Sequence, residues 1–317
     1  MSKSKAQNNS ASMEHRVYSS MAALLKIRKR AKGFSYLPKK ALANLLSGRK
    51  RASIRGRGLD FEELRNYRPG DDVRSIDWKV TNRSGRPHVR VYSEEKDRPV
   101  VALIDQRQSM FFGSVDKMKS VQASELAALT GWRTLAVGDR FGAVLFNDER
   151  CEEFRPSRSE RSIMALLSRL VSMNQQLGVE PIATPLAGQL LTALKQAGQL
   201  LHRDGLLIVV SDLVGWDEAT LAVVRALSQH NDVLVLQLYD PLEQQPVTVQ
   251  PHVFSDGVDQ LQVDGSHREL SERYQCEYSQ RQRAIAADLQ SLAIPLLRIS
   301  AAEDCVEQLR QYAGGPR

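Results

Sequence analysis

Five apolar residues, Val100-Val101-Ala102-Leu103-Ile104, run straight into a carboxylate, Asp105, and a hydroxyl follows at Ser109. A short, unbroken apolar run rich in β-branched residues and bounded by polar ones reads as a strand buried on both faces. Such strands belong to parallel sheets covered by helices, so this stretch narrows the fold more than any other. In open α/β sheets, ligands sit where strand carboxyl ends meet their loops, which makes Asp105 a candidate site residue. A cap on the following turn is the alternative use of the same carboxylate.

The chain beyond Pro99 keeps alternating. Strands are predicted at 100–105, 140–146, 206–210, 233–238 and 294–299, with an edge strand at 151–154. Between and after them, helical spacing predicts helices at 117–136, 159–173, 185–202, 217–230, 267–292 and 304–312. Thr184 is placed to N-cap the helix that Pro185 opens. A hairpin is expected where Val253-Phe254 and Leu261-Gln262-Val263 flank Asp256-Gly257. This order predicts an α/β fold: a mostly parallel, Rossmann-like sheet with helices on both faces.

Ahead of that unit lie two stretches of different texture, giving expected segments 1–48, 49–98 and 99–317. Residues 1–58 hold fifteen Lys and Arg against one acid, Glu14, whereas the remainder holds 29 against 36. The net charge of +7 therefore belongs to a basic arm on a mildly acidic body. Within the arm, Val17, Met21, Leu24, Leu25 and Ile27 recur at helical spacing and Lys26, Arg28, Lys29 and Arg30 follow, predicting an amphipathic basic helix over 17–30 that could dock on the body or on a partner. Such an arm suits nucleic acid, an anionic surface, an acidic protein face or plain solvation. In the middle stretch, Pro69-Gly70-Asp71-Asp72 is a turn. Val73 to Trp78 and Val89 to Tyr92 alternate as half-buried strands do, with the Trp78 ring expected to be buried.

No apolar run approaches the roughly 20 residues of a membrane span, and the first residues hold no hydrophobic segment ahead of a cleavage site, so no secretory signal is expected. Three scattered cysteines, Cys151, Cys276 and Cys305, form neither a disulfide framework nor a zinc pattern, so a reducing cytoplasm is the expected home.

Two predicted strands end in carboxylates, Asp105 and Asp212. With Ser109 and Thr184 they offer hard oxygen donors of the kind that hold Mg²⁺, or Mn²⁺. The spacing Asp105-x-Arg107-x-Ser109, then Thr184, then Asp212 resembles the von Willebrand factor A domain. There, Asp-x-Ser-x-Ser with a Thr and an Asp makes a metal-ion-dependent adhesion site, and a partner's acidic residue completes the coordination. That resemblance implies partner contact through Asp105, Arg107, Ser109 and Asp212. This chain departs from the pattern at Arg107, which replaces a metal-ligating Ser. Either the guanidinium fills the cation position between the carboxylates, or it points outward and a weakened metal site survives on Asp105, Ser109, Thr184 and Asp212.

The middle stretch resembles a bacterial family, the domain of unknown function numbered fifty-eight. The residues that match its signature are Gly56, Gly58, Phe61, Arg65, Tyr67, Gly70, Asp71, Arg74, Asp77 and Trp78. Members are often encoded beside MoxR-type AAA+ ATPases, so the resemblance implies an adaptor or co-chaperone that brings a client protein to such an ATPase. Relatives often carry membrane helices ahead of this block; this chain is expected to be a soluble form. No nucleophile elbow, Walker A loop or paired-histidine zinc motif is present, so a non-enzymatic protein is expected. The alternatives are nucleic-acid or anionic-surface binding by the basic arm, whose aromatics Phe34 and Tyr36 suit base stacking, and metal-dependent hydrolysis at Asp105 and Asp212.

Overall fold

A computed structural model of the chain describes residues 15–31, 59–68, 71–94, 98–179, 188–201, 203–244, 252–255, 260–263 and 268–312. The chain divides into two compact units, Met1–Ala41 with Arg98–Arg317, and Leu42–Asp97. The helix α1 (Met21–Arg30) belongs to the larger unit. It starts later than the predicted residue 17 because Ser20 is extended and its Oγ caps the helix by accepting the Ala23 N–H at 3.3 Å.

The smaller unit is a pair of antiparallel strands, β1 (Leu59–Asn66) and β2 (His88–Glu94), with a bulge between Phe61 and Glu63. The strand expected from Val73 to Trp78 is not there. A 3₁₀ turn over Val73–Ser75 and a helix, α2 (Trp78–Ser84), take its place. Two aspartates override the alternation: Asp72 accepts the Arg74 N–H at 2.9 Å, and Asp77 accepts those of Lys79 at 3.0 Å and Val80 at 3.2 Å. A carboxylate in the N-cap position gives the backbone a helical alternative that the apolar pattern does not reveal. Gly85 ends α2 in the left-handed conformation, φ 70°. Trp78, expected to be buried, is 62% exposed.

In the larger unit, six strands form one sheet. They are β3 (Pro99–Asp105), β4 (Arg140–Phe146), β5 (Cys151–Ser157), β6 (Leu206–Ser211), β7 (Asp232–Tyr239) and, last in the chain, β10 (Leu296–Ser300). The order across the sheet is β10-β7-β6-β3-β4-β5, parallel throughout except that β5 runs antiparallel on the β4 edge. The helices are α3 (Lys119–Ala136), α4 (Glu160–Asn174), α5 (Gln189–Leu200), α6 (Glu218–Ser228), α7 (Pro241–Gln244), α8 (Arg268–Ser291) and α9 (Cys305–Tyr312). Two short strands, β8 (His252–Ser255) and β9 (Gln260–Val263), form the expected hairpin, although its Asp256-Gly257 turn lies outside the described residues. So does the expected Thr184-Pro185 helix start: the described helix begins at Gln189, after Gly188 at φ 73°.

Successive residues of a strand point to opposite faces, and β3 feeds two cores. Val100, Ala102 and Ile104 pack with α3, α4, α9 and the buried side of α1, whereas Val101 and Leu103 pack with α5, α6 and α8. This explains why β3 reads as an unbroken apolar run: it has no solvent side. The basic helix is thus part of the body. Leu24 and Ile27 are buried, Arg28 pairs with Glu160 and lies over the Trp132 ring, and Arg30 reaches Asp304 and Glu307. No helix among the described residues is long and apolar enough to cross a membrane.

Two substitutions test this packing. Leu24→Ala empties a fully buried site under α1 and is expected to cost about 2–5 kcal/mol, read by denaturant unfolding; a loss below about 0.5 kcal/mol would mean that α1 is not docked. Gly142→Ala would set a Cβ 2.5 Å from the Phe154 carbonyl oxygen and 2.7 Å from Pro156 N at the β4–β5 bulge. Backbone cannot yield there as a side chain does, so roughly 1–3 kcal/mol of destabilisation is expected, visible as a lower Tm.

Candidate functional site

The strand order reverses between β3 and β6: the chain moves from β3 to β4 on one side, and from β6 to β7 on the other. Their carboxyl ends flank the crevice where doubly wound sheets take ligands. β3 delivers Asp105 to it, and β6 delivers Ser211 with Asp212 just beyond.

Asp105 is completely buried and both its oxygens are occupied. Oδ1 accepts the Arg107 backbone N–H and its Nε–H, each at 3.0 Å; Oδ2 accepts Arg107 Nη2 and the Ser211 hydroxyl, each at 2.6 Å. Arg107 has folded back over the carboxylate two residues before it. Its Nη2 also lies 3.4 Å from Asp212 Oδ1, its Nη1 donates to the Val214 carbonyl at 2.9 Å, and its guanidinium sits 5.3 Å from the centre of the Phe146 ring. The sequence left two positions for Arg107; the geometry has it between the two aspartates.

A second cation faces the other oxygen of Asp212. Lys119, at the start of α3, has a side chain only 1% exposed; its Nζ lies 3.2 Å from Asp212 Oδ2 and 2.5 Å from Glu243 Oε1. Glu243 is held by the Asp240 backbone N–H at 2.9 Å, and Asp240 in turn accepts the Ser114 N–H at 2.8 Å and the Ser114 hydroxyl. Anions and cations therefore alternate from Asp105 through Arg107, Asp212 and Lys119 to Glu243.

The electrostatics follow from this alternation. Burial works against the charges of Arg107 and Lys119, but Asp105 and Asp212 around the first, and Asp212 and Glu243 around the second, outweigh it and raise both pKa values. Burial likewise works against the Asp212 carboxylate, yet Lys119, Arg107 and the Val214 N–H hold its pKa low. Burial wins at Glu243, which is raised despite Lys119, and at the nearby Asp148, which accepts the Gln108 N–H at 2.6 Å and is raised despite Arg107.

The loop after β6 is shaped by the same groups. Leu213 is buried with φ at +61°, a conformation that costs a branched residue on the order of 1–3 kcal/mol. Ser211 Oγ accepts the Leu213 N–H at 2.9 Å, Asp212 Oδ1 accepts the Val214 N–H at 3.0 Å, and Arg107 takes the Val214 carbonyl.

Whether these residues suit a divalent ion can be judged from their partners. The oxygens that would ligate it are already bonded to a guanidinium, an ammonium and a hydroxyl, and a metal would stand beside two fixed positive charges. Among the described residues, no three His, Cys, Asp or Glu side chains come together to hold a metal ion. As arranged, the residues do not fit one.

Of the expected site residues, Asp105, Arg107 and Asp212 are brought together. Ser109 stands in a 3₁₀ turn with its Oγ buried; it favours the Asp212 charge without reaching good hydrogen-bond geometry to any partner. Thr184 lies outside the described residues. Asp105, which the resemblance implies as a partner contact, is completely buried, and its side-chain contacts are with Arg107 and Ser211. Lys119 and Glu243 were missed. A lysine opening a helix whose first turn holds no acid runs against the helix dipole, and that was the available signal for Lys119; Glu243 gave none.

The family-signature residues fall in the smaller unit. Phe61 and Arg65 lie on β1, opposite Tyr92 and Val89 of β2. Tyr67 donates its N–H to the Pro87 carbonyl at 2.8 Å, Asp71 accepts the Arg68 N–H at 2.8 Å, and Arg74 and Asp77 belong to the two capped turns. Gly56, Gly58 and Gly70 lie outside the described residues.

Comparison with known proteins places this geometry in a family. The uncharacterised protein Rv1480 of Mycobacterium tuberculosis (strain ATCC 25618 / H37Rv) is 25% identical over 286 residues, covering 88% of this chain and 86% of its own. The uncharacterised protein Mb1516 of Mycobacterium bovis matches to the same extent, 25% over 286 residues. Among solved structures, the chain is similar to the conserved hypothetical protein BatB from Bacteroides thetaiotaomicron, with 14% identity, TM-score 0.39, and coverage of 69% of this chain and 100% of that one. It is also similar to a von Willebrand factor type A structure from Catenulispora acidiphila, with 14% identity, TM-score 0.34, and coverage of 70% and 44%. The family described as "Protein of unknown function DUF58" matches residues 63–284, and the chain belongs to it.

Proposed function

We propose that the carboxyl edge of the six-stranded sheet is a docking surface for another protein, and that this partner is a MoxR-type AAA+ ATPase to which the chain brings a client. The observation that carries the reading is the crosslinked pair of strand ends at the switch point, where Arg107 ties Asp105 to Asp212. Such a crosslink makes a rigid platform out of loops. Around it the loops present apolar side chains to solvent: Val115 is 62% exposed, Val179 69% and Val214 39%. Solvent-facing apolar side chains beside a rigid centre are area that a partner would remove from water on docking. The ATPase as partner rests on the family resemblance of the smaller unit.

The two alternatives have lost support. Metal-dependent hydrolysis needs carboxylates free to hold a metal, and Asp105 and Asp212 are spent on Arg107 and Lys119. The basic arm has three of its arginines engaged on the body, Arg16 with Asp116, Arg28 with Glu160 and Arg30 with Asp304. Its Phe34 and Tyr36 lie outside the described residues.

The test leaves the buried charges untouched. Val179→Asp and Val214→Asp change only exposed side chains, and each is expected to weaken capture of a MoxR-type ATPase from the same organism about tenfold, near 1.4 kcal/mol, with an unaltered melting curve. Capture at wild-type strength by the double variant would refute docking through this edge.

A further inference from the structure

The cations at this edge are part of the chain, and one of them has no counterpart in the motif that drew attention to the site. Lys119 is among the largest fully buried side chains of the described residues and opens α3, where the helix dipole opposes a positive charge. A lysine in such a place is held by its partners, and these are Asp212 at 3.2 Å and Glu243 at 2.5 Å. Arg107 is fixed as firmly, with Asp105 gripping its Nε and Nη2, Asp212 near Nη2 and the Val214 carbonyl on Nη1. We propose that Arg107 and Lys119 together are the permanent counter-ions of this site. They divide Asp212 between them and stand where a divalent cation would be required, so the site is complete without metal.

The geometry requires both residues. Arg107 neutralises Asp105 and one oxygen of Asp212, but the other oxygen faces away from it toward α3 and α7. Lys119 alone would leave Asp105 without a cation. With both in place, an ion approaching the aspartates to the roughly 2.0–2.6 Å of Mg²⁺ or Ca²⁺ coordination must displace a bonded guanidinium or ammonium first. Removing Arg107 does not by itself open the site, since Lys119 remains on Asp212. The inference concerns what neutralises the aspartates and stands whether or not the edge docks a partner, so it is tested on the chain alone.

Calorimetric titration of the full chain with MgCl₂ and with MnCl₂ is expected to give dilution heat only, up to millimolar metal. Saturable binding that disappears in Asp212→Asn would overturn the proposal. The role of Lys119 is read by a double-mutant cycle of thermal stability with Lys119→Met and Asp212→Asn. Lys119→Met takes the cation from both Asp212 and Glu243; because Asp212→Asn relieves the first of these, Lys119→Met is expected to lower Tm more than Lys119→Met/Asp212→Asn does. Additive losses in the cycle would remove Lys119 from the site. If Lys119→Met does not fold, Lys119→Arg serves in its place: it keeps the charge in a different shape, and its titration must likewise show no metal binding.

Discussion

Arg107 folds back over the carboxylate of Asp105, and the shape of the loops at the carboxyl edge depends on that contact. The backbone N–H of Arg107 and its side chain bond the same carboxylate, which closes a small ring at the end of β3. From this ring the guanidinium reaches Asp212 and the Val214 carbonyl, so two loops that are separate in sequence share one set of hydrogen bonds. The left-handed Leu213 is affordable only because Ser211, Asp212 and Arg107 over-determine the backbone around it. Charge-assisted bonds between planar groups suit this task, because their geometry is as restrictive as their energy is large.

Beside Arg107, the wholly buried Gln106 carries the same rigidity to the start of the chain. Its Nε2 donates to the Ser120 carbonyl at 2.9 Å, and its Oε1 accepts Asn174 Nδ2 at 2.9 Å; the Oδ1 of that asparagine takes the Ser19 backbone N–H at 2.7 Å. Tyr18 stacks on Phe111 at 5.7 Å and donates its hydroxyl to the Leu177 carbonyl, while the Arg16 carbonyl accepts the Met118 N–H at 3.0 Å. Residues 16–19 therefore bridge the loop after β3 and the loop after α4. The following helix keeps them there, by burying Leu24 and Ile27 rather than by its exposed ion pairs, which are worth little individually. A buried amide chain with its members paired rigidifies what it touches, and here it touches the residue next to the site.

Much of this was legible in the chain. The apolar runs at Val100–Ile104 and Leu206–Val210 marked the central strands because a strand without a solvent side has no alternation to obscure it, and the carboxylates after them marked the candidate site. The charge of Arg107 in a ligand position left two placements open, between the aspartates or turned outward, and only the structure has it between them. Other features were hidden for physical reasons. Val73 to Trp78 alternates like a strand, but Asp72 and Asp77 cap turns, and a cap is a local hydrogen bond that periodicity does not register. Residues 17–30 read as a basic helix that could dock on the body or on a partner, because net charge dominates a composition whereas the choice depends on the few apolar residues along one face. Glu243 meets Lys119 across 124 positions, a contact fixed only by the order of strands in the sheet.

The buried charges at the switch point also differ in kind from the apolar contacts that stabilise the sheet. Withdrawing an ion from water costs several kcal/mol, and attraction between partners offsets that only when nearly every donor and acceptor is matched. Asp105 meets the condition with four donors, and Arg107 by spreading its N–H groups over two carboxylates and a carbonyl. Asp212 meets it only with both cations present, since each of its oxygens faces a different one. The cluster is therefore a single electrostatic unit. Loss of either cation leaves a buried anion uncompensated, while loss of a cation together with its carboxylate removes the penalty along with the attraction. That interdependence couples α3, the β3 and β6 ends and α7 at one edge, where apolar packing alone would let each loop settle separately.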